Sequence, residues 1–297
     1  MPGKKHPILI VIVILAITVL FLGGIMTLIL AFSGSSSRLT FGDKIGVIPL
    51  KGPIMDSEPI LSQLVDFRKD DKIKVIILRI DSPGGGVGPS QEIYREVRRT
   101  VETKKVIASL GSIAASGGYY VASAADKIVA NPGTITGSIG VIMEFVQLED
   151  LLKKIGINFE VLKSGEFKDI GSPHREMSKR EKALITELIA DVQAQFVDAV
   201  STGRGLPEEK IREIADGRIF TGAQAKALGL VDSLGNFQDA IQLAKEMAQI
   251  KGEATIVYPE KSRLKIWDLL FQDAAKTLVS VLRDHVGGGI GYRWDGF

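Results

Sequence analysis

Ser116 stands in the stretch Ser109-Leu-Gly-Ser-Ile-Ala-Ala-Ser-Gly-Gly-Tyr-Tyr120, directly before Gly117 and Gly118. An apolar strand, Val106 to Leu110, leads into it, and an apolar helix-like run, Tyr119 to Ala125, leads out. A serine at a tight strand-to-helix turn presents its hydroxyl. Glycines beside it let a substrate approach the outward-pointing amides of the helix start. Acyl transfer needs both: a placed nucleophile and N–H donors where an oxyanion would form. The same residues would also make an ordinary small-residue turn packed under a helix, so the rest of the chain has to decide.

A serine nucleophile needs a base. The histidines are His6, His174 and His285. The first precedes a long apolar run, the last is in the C-terminal tail, and His174 lies in a loop with no evident orienting carboxylate. A lysine can serve if burial in an apolar site disfavours its ammonium. Lys168, in Ser164-Gly-Glu-Phe-Lys-Asp-Ile-Gly-Ser-Pro173, has Phe167 and Ile170 close by; as a plain surface lysine it would be one of 37 basic residues. Ser138, inside Thr136-Gly-Ser-Ile-Gly140, could accept and orient a lysine amine, or be another turn serine. Gly84-Gly-Gly86 follows a buried strand and opens a helix, so its turn could present an N–H to an oxyanion. Its spacing is not a dinucleotide fingerprint, and no Gly-Lys-Ser/Thr follows it.

Composition removes other classes. The 37 basic and 35 acidic residues leave a net charge of +2, with no field and no basic-aromatic stripe for nucleic acid. With no cysteine, thiol catalysis, zinc–thiolate sites and disulfides are excluded. Three histidines make a multi-histidine metal site hard to build, and no cofactor is expected.

The positioning elements alternate in type. Strands are expected at Lys44–Lys51, Ile73–Ile80, Val106–Leu110, Lys127–Ala130, Thr134–Ile142 with glycine breaks, Phe159–Lys163 and Glu253–Tyr258. Helices are expected at Glu58–Asp70, Ser90–Glu102 with Ser90 as N-cap, Leu148–Ile155, Ser178–Thr202, Pro207–Ala215, Ala223–Leu228 and Asn236–Ala248. Pro49 argues for an edge or a strand end. This alternation predicts an α/β domain with much parallel pairing.

Before it, residues 1–7 form a short basic N-terminus, and Ile8 to Phe32 carries no charge. As a helix that run is about 37 Å long, enough to cross a ~30 Å hydrocarbon core with tilt. It predicts one transmembrane signal anchor over 8–32, with the N-terminus cytosolic and the rest extracytoplasmic. Residues 33–41 read as a linker and 42–255 as the main domain. Residues 256–297 read as an amphipathic helix, Lys261 to His285, with a flexible end.

Six blocks then occur in order: Asp81-Ser-Pro-Gly-Gly-Gly86, Ala114-Ala-Ser-Gly-Gly-Tyr-Tyr120, Ala124-Ala-Asp-Lys-Ile128, Thr136-Gly-Ser-Ile-Gly-Val141, Ser164-Gly-Glu-Phe-Lys-Asp169 and Gly217-Arg-Ile-Phe-Thr-Gly222. Over about residues 42–250 the chain resembles the short form of the bacterial signal peptide peptidase A family, membrane-anchored serine–lysine proteases. The resemblance implies the crotonase/Clp-protease-like superfold of repeated ββα units. It implies Ser116 as nucleophile, Lys168 as general base, the Gly85 and Gly117 amides as oxyanion hole, and Ser138 as the hydroxyl that holds the lysine. It also implies a homo-oligomeric ring with active-site parts shared between neighbours, no metal or cofactor, and signal peptides left in the membrane as substrates. The rival readings are a protease for one regulatory membrane protein, a crotonase-like acyl-CoA enzyme, and a non-catalytic membrane scaffold.

Overall fold

The computed structural model describes residues 15–25, 43–259 and 291–293. The chain divides into two units, residues 1–41 and 42–297. In the first, residues 15–25 form helix α1, about 16 Å long at ~1.5 Å per residue. Among the described residues no helix is long and apolar enough to cross a membrane. The remainder of the expected 8–32 span, and all of the expected helix Lys261 to His285, lie outside the described residues.

The second unit begins with β1 (Lys44–Lys51), α2 (Glu58–Lys69), β2 (Ile73–Ser82), β3 (Gly84–Gly86), α3 (Val87–Val101), β4 (Lys105–Ala115) and α4 (Gly117–Ser123). It continues with β5 (Lys127–Ala130), β6 (Ile135–Gly137), α5 (Glu149–Lys154), α6 (Lys179–Arg204) and α7 (Glu208–Arg212). β7 (Ile219–Thr221), α8 (Gly222–Ala227), β8 (Ser233–Leu234), α9 (Phe237–Met247), β9 (Thr255–Val257) and β10 (Gly291–Arg293) complete it. The main sheet has eight strands, ordered β7-β6-β4-β2-β1-β9, with β5 and β8 branching from β4. Every pairing in it is parallel except β6 with β7. β2, β3 and α3 follow one another as strand, strand and helix, with β3 paired to β10 in a separate two-stranded sheet.

The central strands read as apolar runs because both faces are covered. Ile48, Ile76, Leu78, Ile80 and Val106 point into a core shared with α2, α3, α4 and α6. Their alternate neighbours Ile45, Val47, Val75, Ile77 and Ile107 meet Ala240, Ile241 and Ala244 of α9 on the other face. A period of two thus splits one hydrophobic sequence between two cores. Pro49 fits because β9 pairs β1 only at Lys44–Gly46, which leaves the far half of β1 without a ladder partner on that side among the described residues.

Three local expectations need correction. Phe159–Lys163 is irregular and not a strand. The glycine-broken strand over 134–142 shrinks to Ile135–Gly137. Ser90 is not the N-cap of α3, which starts at Val87 after Gly86. Instead the buried Ser90 hydroxyl donates back to the Gly86 carbonyl at 2.8 Å.

Candidate functional site

Ser116 is the residue between β4 and α4. Its backbone sits at φ 53° and ψ −121°, close to the first central position of a type II′ turn, which normally calls for glycine. A non-glycine residue held there costs on the order of 1–3 kcal/mol. The surroundings hold it in place. Ser116 N–H donates to the Gly137 carbonyl at 2.8 Å, and Tyr120 N–H donates to the Ser116 carbonyl at 2.8 Å. α4 is buried along its whole length. Tyr119 anchors it through a 2.8 Å hydrogen bond from its hydroxyl to the Leu230 carbonyl. Tyr120 packs edge-on against Tyr94 at 5.0 Å and against Phe196 at 4.9 Å.

The Ser116 hydroxyl is buried and makes no hydrogen bond among the described residues. Buried polar atoms nearly always have partners, so an orphaned hydroxyl on a strained turn is an exception that calls for an explanation. Burial pushes the Tyr119 phenol well above its ordinary range and the Tyr120 phenol up to about 12. Neither neighbour therefore ionises near neutral pH to act as a base.

The expected oxyanion donors lie beside the hydroxyl's own turn. A Cβ on Gly117 would come 3.2 Å from the Gly85 nitrogen, 3.3 Å from the Gly84 Cα and 2.5 Å from the Ser90 hydroxyl. The two glycine backbones thus touch, and only hydrogen at Gly117 permits it. Gly85 is pinned from its other side, where Gly86 N–H donates to the Ile54 carbonyl and Ile54 N–H to the Gly84 carbonyl, each at 2.8 Å. Ser138 follows Gly137, is buried and has φ 52°; its N–H donates to the Arg218 carbonyl at 2.9 Å. The tail, expected to be flexible, contributes β10, which pairs antiparallel with β3 and sets Tyr292 opposite Gly85.

Lys168 is not in this cluster. It is exposed, on a turn whose Lys168 N–H donates to the Gly165 carbonyl at 3.2 Å, and its amine does not reach the unpartnered Ser116 hydroxyl. The desolvation expected from Phe167 and Ile170 is therefore not supplied within one chain. His174 makes no hydrogen bond to the Ser116 hydroxyl either. It stacks on Phe159 at 4.7 Å, bonds the Ser172 hydroxyl at 2.9 Å, and lines a cleft of about 390 Å³ with Leu152, Ile157 and Arg175.

Sequence reading missed what holds the Lys168 turn. Asp169 accepts from Arg175 Nε at 2.9 Å, from Arg175 Nη2 at 2.8 Å and from Lys163 Nζ at 2.7 Å. Arg175 also grips both oxygens of Glu181, the residue that closes the capping box of α6 with Ser178. The Ser-x-x-Glu spacing was a readable signal for that cap; the link back to Asp169 was not. Arg175 first, then the Ser178 amide, draws the Glu181 carboxyl down to about 2. Arg175 and Lys163 hold the Asp169 carboxyl well below the usual range. A carboxyl whose pKa falls on folding adds stability above its unfolded value, ~4.3 for Glu, and loses it as pH falls through the folded value. The thermal midpoint is therefore expected to drop between about pH 4.5 and pH 2. Glu181→Gln should lower it at neutral pH and flatten that acid slope, as read by thermal melts against pH.

The model of peptidase family S49 matches residues 98–251, and the Clp protease model matches residues 43–134. The latter covers β1 to the loop before β6 and agrees with the expected Clp-like α/β fold. A Synechocystis sp. protein named as a candidate protease is 52% identical over 180 residues, 61% of this chain and 65% of that protein. One from Methanocaldococcus jannaschii, similarly named, is 34% identical over 269 residues, 86% of each chain. The chloroplastic serine protease SPPA of Arabidopsis thaliana is 36% identical over 236 residues, 79% of this chain and 34% of that protein. The chain thus spans just under two thirds of the first of these relatives and about one third of the last. The chain belongs to peptidase family S49, the SppA proteases.

Proposed function

We propose that this chain is a membrane-anchored serine endopeptidase that cuts apolar signal peptides left in the membrane after export. The observation that carries the reading is the buried, unpartnered Ser116 hydroxyl on a strained turn against the Gly85–Gly117 backbone contact. In the proposed cycle the neutral amine of Lys168, held by Ser138, takes the Ser116 proton as the oxygen attacks a peptide carbonyl. The Gly85 and Gly117 amides receive the developing oxyanion. The C–N bond then breaks, the leaving amine takes the proton back from Lys168, and an ester to Ser116 remains. Water, deprotonated by the same lysine, attacks that ester and frees the acid product and the serine. The anchor is the charge-free run from Ile8 to Phe32, which also brings the domain to its substrates.

The lysine that meets Ser116 is proposed to come from a neighbouring copy in a homo-oligomeric ring. Two observations support this: Lys168 is exposed in the single chain, and the segment before it exposes Val146, Leu151, Ile155, Phe159 and Leu162, the last at 92%. So many large apolar side chains exposed within one short segment call for a partner.

The test is cleavage of an apolar signal-peptide mimic by the wild type, Ser116→Ala and Lys168→Ala. Both variants should be inactive, and mixing them should restore cleavage, because some interfaces then join an intact Ser116 to an intact Lys168. An ammonium cannot accept a proton, so wild-type activity should rise with pH. Full activity in Lys168→Ala would sink the proposed base, and inactive mixtures would place the pair within one chain.

A further inference from the structure

Strand β4 reaches Ser116 through a bulge. β2 and β4 pair in register from Val75 opposite Lys105 to Ile80 opposite Leu110, and next at Ser82 opposite Ala114. Gly111, Ser112 and Ile113 therefore face Asp81 alone. On the other edge β5 leaves β4 at Leu110 and β6 joins it only at Ile113. The sheet ladder is interrupted on both sides at the same place, and the backbone groups there need other partners.

Side chains supply them. Asp81 Oδ1 accepts from Ser112 N–H at 3.1 Å and from Ile113 N–H at 3.2 Å. The buried Thr134 hydroxyl donates to the Gly111 carbonyl at 2.7 Å. Arg79 Nη1 donates to the Leu110 carbonyl at 3.1 Å, and the Thr136 hydroxyl to the Ala114 carbonyl at 2.7 Å. Gly111 leaves room for the carboxylate, since a Cβ there would lie 2.9 Å from Asp81 Cγ. A bulge bends a strand and re-aims the residues beyond it. Ser116 is three residues beyond Ile113, about 10 Å along the strand, where its N–H meets the Gly137 carbonyl.

We propose that Asp81 and Thr134 are positioning residues that clamp this bulge and so fix the Ser116 hydroxyl in its strained, attack-ready conformation. The proposal rests on Ser116 being the nucleophile. Without the clamp, the end of β4 can shift toward an unbulged register and release the turn. Both amides reach the same oxygen of Asp81, so the clamp needs an acceptor rather than a charge, and Asp81→Asn keeps one.

The experiment uses the full chain, the signal-peptide mimic and a fluorophosphonate probe, with thermal midpoints to confirm folding. Asp81→Ala should lose about 10- to 100-fold in kcat, the scale of a misplaced reacting group, with KM within about twofold and probe labelling slowed in parallel. Asp81→Asn should stay within about threefold of wild type in kcat. Thr134→Val should be slow and Thr134→Ser near normal. A folded Asp81→Ala with wild-type kcat, or an Asp81→Asn as slow as Asp81→Ala, would overturn the clamp. Should Asp81→Ala not fold, equal rates in Thr134→Val and Thr134→Ser would overturn it, and a slow Thr134→Val beside a normal Thr134→Ser would uphold it. Full cleavage by Ser116→Ala overturns the nucleophile assignment and the clamp with it. An inactive Ser116→Ala beside a fully active Asp81→Ala overturns the clamp alone.

Discussion

Replacing Ser116 by alanine is expected to reduce peptide cleavage by on the order of 10⁴-fold or more, the scale seen when a serine nucleophile is removed. Replacing it by glycine should reduce cleavage as far and do something alanine does not. At φ 53° and ψ −121° a Cβ is strained and glycine is not. Ser116→Gly should therefore raise the unfolding free energy by about 1 kcal/mol or more over Ser116→Ala, after the entropy glycine gains in the unfolded chain is subtracted. Ser116 would then be kept against the preference of its own backbone, as expected where stability is traded for function. Calorimetry or denaturant titration of the three proteins measures it. Equal stability of the glycine and alanine variants would mean that the turn stores no strain.

The second large effect is expected at Gly85. A Cβ there would lie 2.2 Å from the Ile54 carbonyl oxygen and 2.5 Å from the Ile54 nitrogen. Both atoms belong to backbone that is hydrogen-bonded to Gly84 and Gly86, so they cannot yield without breaking those bonds. Gly85→Ala should displace the amide proposed to receive the oxyanion and cost about 10²–10³ in kcat. It should also destabilise the domain by about 1–3 kcal/mol, as overpacking does. Gly88 provides the control. It lies in the first turn of α3, where an added Cβ would meet nothing within 4 Å. Gly88→Ala is expected to leave kcat unchanged and stability within about 0.5 kcal/mol. If both substitutions behaved alike, the close approach at Gly85 would not be what the site depends on.

These residues also show which parts of the molecule the sequence makes legible. β1, β2 and the first half of β4 announce themselves as apolar runs, because a parallel strand covered on both faces has no polar side to display. α6 and α9 announce themselves through capping boxes at Ser178/Glu181 and Asn236/Asp239. The small-residue turn around Ser116 was readable as a strand-to-helix junction, and its glycines as points of close approach.

The β4 bulge was not readable. A bulge is defined by what faces it, and Asp81 and Thr134 are far from Gly111 in sequence. The Asp169–Arg175–Glu181 network escaped for a related reason: its residues are near in sequence but joined through the start of a helix. Phe159 and Val161 alternate like a strand yet stay 57% and 43% exposed, with no neighbouring strand among the described residues to receive them. Ser90 looked like a helix cap because local sequence cannot show that Gly86 starts α3 earlier. The β10 pairing joins residues about 200 apart in sequence, and no local pattern announces that.

The most direct test of the account is to treat the full chain with a fluorophosphonate, which bonds only to an activated nucleophile, and locate the adduct by peptide mapping. The account predicts one adduct on Ser116, absent from Ser116→Ala and much slower to form in Lys168→Ala. An adduct on another residue, or labelling of Ser116 at an unchanged rate in Lys168→Ala, would contradict it.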